Sequence, residues 1–146
     1  VAAGKLLKKS NYKIEKIITS PLLRARETSS IISEILKIPI FFSNNLTEWS
    51  GINNWIGKTI EEIISSQEYS ERISSLDLSP VDETLTSVYK RVDIEYKNNV
   101  NTLFVSHQDT IRAFTYFFTN DENFSMYRPK NCEIQFIDNN IIRTLT

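Results

Sequence analysis

His107 closes the stretch Thr102-Leu103-Phe104-Val105-Ser106-His107, in which an apolar run that predicts a buried strand ends on a titratable ring just before a helix. In α/β sheets ligands collect outside the carboxyl ends of the strands, so an imidazole at a strand tip meets substrate while the strand behind it holds it rigid. His107 is the single histidine of the chain, and any imidazole-dependent reaction of these residues must use it. The plainer reading is a loop histidine without a function. A second segment shifts the balance. Ile17-Ile18-Thr19-Ser20-Pro21-Leu22-Leu23-Arg24-Ala25-Arg26-Glu27-Thr28 repeats the order of strand, Ser-Pro junction and helix. Ser20 is expected to cap that helix and Pro21 to open it, since proline lacks the N–H that would be orphaned there. Ser20 and Arg24 then lie near one face at the helix N-terminus, where free N–H groups and the dipole favour an anion. A guanidinium added there makes a phosphate cradle. Arg26 falls on another face and is expected in solvent or in a surface ion pair.

The pattern Ser-Pro-x-x-Arg-Ala-x-x-Thr from Ser20 to Thr28, followed by Val105-Ser106-His107, resembles the histidine phosphatase, or phosphoglycerate mutase-like, superfamily. Between the two motifs, Leu46-Thr47-Glu48-Trp49-Ser50-Gly51 with Trp55-Ile56-Gly57 is similar to the family's Leu-x-Glu…Gly-x-Trp-x-Gly loop, with one residue more between Glu48 and Trp55. Asp82-Glu83-Thr84, before a helix ending near Arg91, is similar to its Gly-Glu-Ser turn. The resemblance implies a metal-free and cofactor-free phosphomonoesterase or mutase acting on a small phosphorylated substrate. It implies that Arg24, with Ser20 and Gln108, binds the phosphoryl oxygens, and that His107 donates to one of them. It implies that Glu48 protonates the leaving alkoxide, with Glu83 the runner-up donor. Without the resemblance, either glutamate reads as a solvated loop carboxylate and Arg24 as half of a surface salt bridge worth little.

The family opens on a strand carrying Arg-His-Gly, whose histidine becomes phosphohistidine, and no such triplet occurs in these 146 residues. Val1 to Lys9 read as the end of the helix that follows that strand. The expectation is therefore a single domain over 1–146, N-terminally incomplete, without the nucleophile and without turnover as written. The absent strand belongs beside the one ending at His107, and its loss leaves an unpaired ladder edge. Gln108 and Asp109 stand where the family usually has glycine, and a negative charge there weakens phosphate binding. The alternative is a degenerate, non-catalytic domain that keeps an anion pocket or an interaction surface and pairs its open edge with another copy. A metal site is disfavoured, because one imidazole cannot supply the ligand cluster that zinc needs.

The elements that must position these groups follow from periodicity. A helix is expected from Pro21 to about Leu36, an edge strand over Pro39-Ile40-Phe41-Phe42, and a capping box in Thr59 and Glu62. Ser65 to Asp82 predicts helical turns and a loop. Leu85, Val88, Tyr89, Val92 and Tyr96 make the clearest amphipathic helix, and Phe114, Tyr116, Phe117 and Phe118 read as helix packing. Glu133 to Ile137, the Asp138-Asn139-Asn140 turn and Ile141 to Leu145 predict a hairpin. Such alternation predicts a three-layer α/β/α fold with a mostly parallel central sheet and a C-terminal β-hairpin.

Seventeen basic against 18 acidic residues, a net charge of −1, give no reason to expect nucleic acid or a membrane surface as partner. Capture of an anion must rest on local charge around Arg24. One cysteine, Cys132, excludes an internal disulfide and agrees with a reducing compartment; it reads as a structural thiol in a strand. No apolar stretch approaches the roughly 20 residues that span a bilayer, and the lysine-rich start does not read as a signal peptide, so the chain is expected in the cytoplasm. The triplets Asn45-Leu46-Thr47 and Asn123-Phe124-Ser125 are read as chance matches to a glycosylation signal.

Overall fold

The structure is a computed structural model and describes residues 1–49, 55–74, 83–119, 128–138 and 141–145. Ile17-Ile18-Thr19 and Leu103-Phe104-Val105 are short apolar β-formers, and they form the inner ladder of a parallel sheet: β1 (Lys16–Thr19) pairs with β3 (Thr102–Val105) in the register Lys16↔Thr102 to Thr19↔Val105. On its other side β1 pairs in parallel with β2 (Ile40–Phe42), giving the order β2-β1-β3. Pro39 precedes β2 and its carbonyl accepts the Ile17 N–H at 2.9 Å, so the missing donor of proline costs the edge nothing. Among the described residues β3 pairs with β1 alone.

Helices α1 (Ala2–Lys9) and α2 (Leu23–Leu36) cover one face. Leu7, Ile17 and Ile32 are buried together there, with Leu103, Val105, Ile134 and Leu145 packed around them. Gly4 permits the close approach of α1, since a Cβ at that position would meet Ile35 Cδ1 at 2.7 Å. On the other side α5 (Leu85–Asn98) lies against α6 (Gln108–Thr119), and Trp49, Leu85, Val88 and Ala113 form the second buried cluster. Tyr89, Tyr96, Phe114, Phe117 and Phe118 interlock with ring centroids 5.2–5.7 Å apart, so the aromatic run of α6 is indeed packing. β4 (Ile134–Asp138) and β5 (Ile141–Leu145) form the antiparallel hairpin, and Tyr12 stacks on Phe136 at 3.8 Å. The fold is the expected α/β/α arrangement with a parallel sheet and a terminal hairpin.

Two short helices, α3 (Ile60–Ile64) and α4 (Gln67–Ser74), precede α5. The Thr59–Glu62 capping box opens α3 with both reciprocal bonds present. Residues 75–82, the turn at 139–140, the second glycosylation-like triplet and the stretch 50–54 that carries the extra residue after Glu48 lie outside the described residues. No described helix is long and apolar enough to cross a membrane.

Three local expectations are corrected. The helix after Ser20 starts two residues later than the Pro21 signal suggests, at Leu23 with Leu22 as its N-cap, because the Ser20 hydroxyl accepts the Leu22 N–H in a preceding turn and is held by His107. Arg26 is exposed as expected, and its guanidinium lies over the Phe42 ring at 5.5 Å, where the exposed edge strand offers an aromatic face. Cys132 is exposed with φ +59°, in a turn before β4 and not within a strand. The helix carrying Arg91 continues to Asn98, so Arg91 sits at its middle.

Ile17 is fully buried in the inner strand of the sheet and touches both helices of its face. Ile17→Ala is expected to cost about 3 kcal/mol, read as a lower urea midpoint with an unchanged m-value.

Candidate functional site

Parallel pairing of β1 and β3 brings Thr19 level with Val105, and the Ser20 N–H bonds to the Val105 carbonyl at 3.0 Å. The residues just past the two strand ends therefore meet. Ser20 Oγ and His107 Nε2 are 2.8 Å apart, with Ser20 fully buried and His107 5% exposed. In the first turn of α2, Arg24 projects from the rim, and its Nη2 lies 4.0 Å from Glu48 Oε2. Ser20, Arg24, Glu48 and His107 thus gather at the carboxyl end of the sheet.

Glu48 reaches that point from a tightly fixed segment. Ser43 caps a 3-10 turn over Asn44–Leu46 and bonds Glu95 at 2.5 Å, while Asn45 Nδ2 donates to the same carboxylate at 2.9 Å. Arg91 donates to the Asn45 carbonyl at 2.5 Å and pairs with Glu83 through Nε at 2.7 Å and Nη2 at 3.2 Å. The Glu83 carbonyl accepts the Trp49 indole N–H at 2.6 Å. From the opposite side, Ser106 Oγ donates to the Leu46 carbonyl and Thr110 Oγ1 to the Thr47 carbonyl, both at 2.8 Å. Glu48 Oε1 is held by the Trp49 N–H at 3.0 Å and the Thr110 N–H at 3.3 Å.

Glu83 is thereby engaged as a structural clamp with Arg91 and does not join the group around His107. Gln108 begins α6, and its side-chain amide donates to the Pro129 carbonyl at 3.1 Å; what it offers an anion is a backbone N–H of the first helical turn. Asp109 is paired with Arg112 at 2.6 Å, so its charge is largely offset. The residues that sequence reasoning missed are the props: Thr110, Ser106, Arg91 and Asn45. Among the described residues no cluster of His, Cys, Asp and Glu could hold a metal ion.

Burial governs the electrostatics. Desolvation, reinforced by the positive charges of Arg24 and Arg91, pushes His107 down to about 4, which favours the neutral ring at pH 7, with Nε2 and the Ser20 hydroxyl sharing one hydrogen bond. Desolvation also raises Glu48 above the ordinary carboxylate value; Asp109 adds to the rise, while the Trp49 and Thr110 N–H groups and Arg24 oppose it. A carboxyl disposed to keep its proton, beside a guanidinium and a buried imidazole, is suited to binding a phosphoryl group and protonating its leaving oxygen.

The profile of the histidine phosphatase superfamily (branch 1) matches residues 1–140. Solved structures share the fold at low identity. The α-ribazole phosphatase of Shigella flexneri superposes with a TM-score of 0.70 at 18% identity, covering 98% of this chain and 77% of that one. Bacillus stearothermophilus YhfR gives 0.70 at 22% identity, with 97% and 76% covered. A mycobacterial glucosyl-3-phosphoglycerate phosphatase in complex with inorganic phosphate gives 0.72 at 19% identity, with 92% and 73% covered. The search of curated proteins returned no match.

The two shifts make opposite contributions to stability. A base depressed from 6.5 to about 4 leaves the folded state holding fewer protons than the unfolded chain, so its stabilising share is complete above pH 6.5 and is lost between pH 6.5 and 4. That share is up to about 3 kcal/mol, and His107→Gln is expected to flatten this part of the stability–pH curve measured by denaturation. For Glu48 the raised value reverses the sign: the folded state is favoured below the ordinary carboxylate range and loses that share as pH rises. Glu48→Gln is therefore expected to raise the melting temperature at pH 7 to 8, with the gain shrinking toward pH 4.

Proposed function

Because the chain belongs to the histidine phosphatase superfamily (branch 1), we propose that its site holds the phosphoryl group of a small phosphate monoester, and that catalysis passes through a phosphohistidine on a histidine these 146 residues do not carry. The observation that carries the reading is the convergence of Ser20, Arg24, Glu48 and His107 past the ends of β1 and β3. Arg24 binds equatorial oxygens of the phosphoryl group in the bidentate manner that lysine cannot match. His107 Nε2 turns from the Ser20 hydroxyl to a phosphoryl oxygen, taking a proton as the dianion arrives. Glu48 Oε2 protonates the leaving oxygen and later activates water. His107 has Ser20 and Arg24 for neighbours and acts as the auxiliary histidine.

The nucleophile belongs on the free edge of β3. A strand running parallel to β3 there would end level with His107, as β1 does at Ser20. Two of the structural relatives are named as phosphatases, which supports hydrolysis over isomerisation. The alternative, a non-catalytic anion-binding or interaction domain, draws on Gln108 and on the negative charge of Asp109, and the ion pair of Asp109 with Arg112 lessens the weight of the second.

The chain alone is expected to give no turnover on an aryl phosphate and to acquire it when an Arg-His-Gly strand is joined ahead of Val1. Turnover by the bare chain that His107→Ala abolishes would make His107 the nucleophile and overturn this assignment. Inorganic phosphate is expected to bind with uptake of a proton, measured by calorimetry in buffers of different ionisation enthalpy. Arg24→Ala should weaken that binding by about tenfold to a hundredfold.

A further inference from the structure

We propose that Thr110 is the positioning residue that divides the labour between the two oxygens of Glu48, holding Oε1 as a pure acceptor so that the dissociable proton sits on Oε2. The inference rests on the reading of Glu48 as proton donor. Thr110 is fully buried in the first turn of α6. Its N–H and that of Trp49 both point at Glu48 Oε1, at 3.3 and 3.0 Å. A proton bonded to Oε1 would face these two N–H groups, so the neutral acid carries its proton on Oε2, the oxygen nearer Arg24 at 4.0 Å.

The hydroxyl of Thr110 adds a second element. Its Oγ1 lies 2.8 Å from the Thr47 carbonyl and 3.3 Å from Glu48 Oε1, yet a hydroxyl has one proton to give. While Glu48 is neutral, that proton goes to Thr47. As the Oε2–H bond breaks and its proton forms the new O–H bond of the leaving group, the electron pair stays on the carboxylate and the Thr110 hydroxyl turns toward Oε1. When water attacks the phosphohistidine, Oε2 takes the water's proton and the hydroxyl returns to Thr47. Thr110 thus stabilises the ionised form selectively, offsetting part of the desolvation that burial imposes.

The other charged groups around Glu48 are unaltered by a change at Thr110. They are Arg24 on α2, the titratable His107 just before α6, Asp109 on α6 with its partner Arg112, and the Glu83–Arg91 pair on the α5 side behind Trp49.

The test titrates the carboxyl carbon of Glu48 by NMR in the 146-residue chain labelled at glutamate, with Glu48→Gln assigning the signal. Thr110→Val keeps the shape and the N–H and removes the hydroxyl. Its midpoint is expected to rise by about 0.5 to 1 pH unit, and Thr110→Ser is expected to restore the original midpoint. A role in packing alone predicts an unmoved midpoint. A midpoint that stays or falls in Thr110→Val, or that moves as far in Thr110→Ser, overturns the proposal. Should the valine variant fail to fold, Thr110→Ala carries the same expectation and the same refutation. Inorganic phosphate binding on the same samples keeps the two readings apart. Phosphate that binds with an unmoved midpoint removes the role of Thr110 alone, and a moved midpoint without phosphate binding removes the functional reading alone.

Discussion

The register of β1 against β3 is the constraint from which the site follows. Thr19 opposite Val105 puts Ser20 and His107 one and two residues past paired strand ends, and the 2.8 Å bond between them is available in that register. Side chains alternate along a strand, so a slip of one residue would send Ile17 away from Leu7 and Ile32 and turn the buried set toward the wrong layer. The hydrophobic pattern that builds the core is thus the same pattern that aligns serine with histidine. Their meeting requires no separate device.

Glu48 depends on a different kind of support. It lies in irregular chain, and irregular chain is held by side chains spending hydrogen bonds on its backbone. Ser43, Asn45, Leu46, Thr47 and Trp49 are each bonded to α5, to the turn before it or to the β3–α6 junction. This explains why Glu83 looked like a competing acid. It is a carboxylate at the right place in the chain, but both its oxygens are spent on Arg91 and its carbonyl on Trp49. Arg91 and Glu83 fix the segment that carries the acid.

What local sequence encodes was legible. Short β-branched runs ending in Ser20 and His107, the amphipathic spacing from Leu85 to Tyr96, the Thr59–Glu62 box and the terminal hairpin all state their conformation within a few residues. The start of α2 was misplaced because Ser20 had two uses, as cap and as partner of His107, and the long-range bond prevailed. The ring contact of the exposed Arg26 was not foreseen because the aromatic that receives it lies on β2, a separate element. Thr110 was missed because nothing in its own helix distinguishes it; its importance is that Thr47 and Glu48, more than 60 residues earlier, end beside it. Contacts of that separation are set by topology, and one-dimensional periodicity carries no record of them.

The opposite shifts of Glu48 and His107 have one origin and converge when an anion arrives. Burial disfavours charge on either group, raising the proton affinity of Glu48 and lowering that of His107, and Arg24 stands beside them as an exposed cation. A phosphoryl dianion placed among them raises the proton affinity of both, because negative charge nearby favours the cationic imidazole and the neutral carboxyl alike. On the proposed reading, His107 would then gain the proton with which to donate to a phosphoryl oxygen, and Glu48 would keep the one it delivers. Desolvation disfavours charge on both groups, and the charge of a bound anion would oppose that for His107 and reinforce it for Glu48.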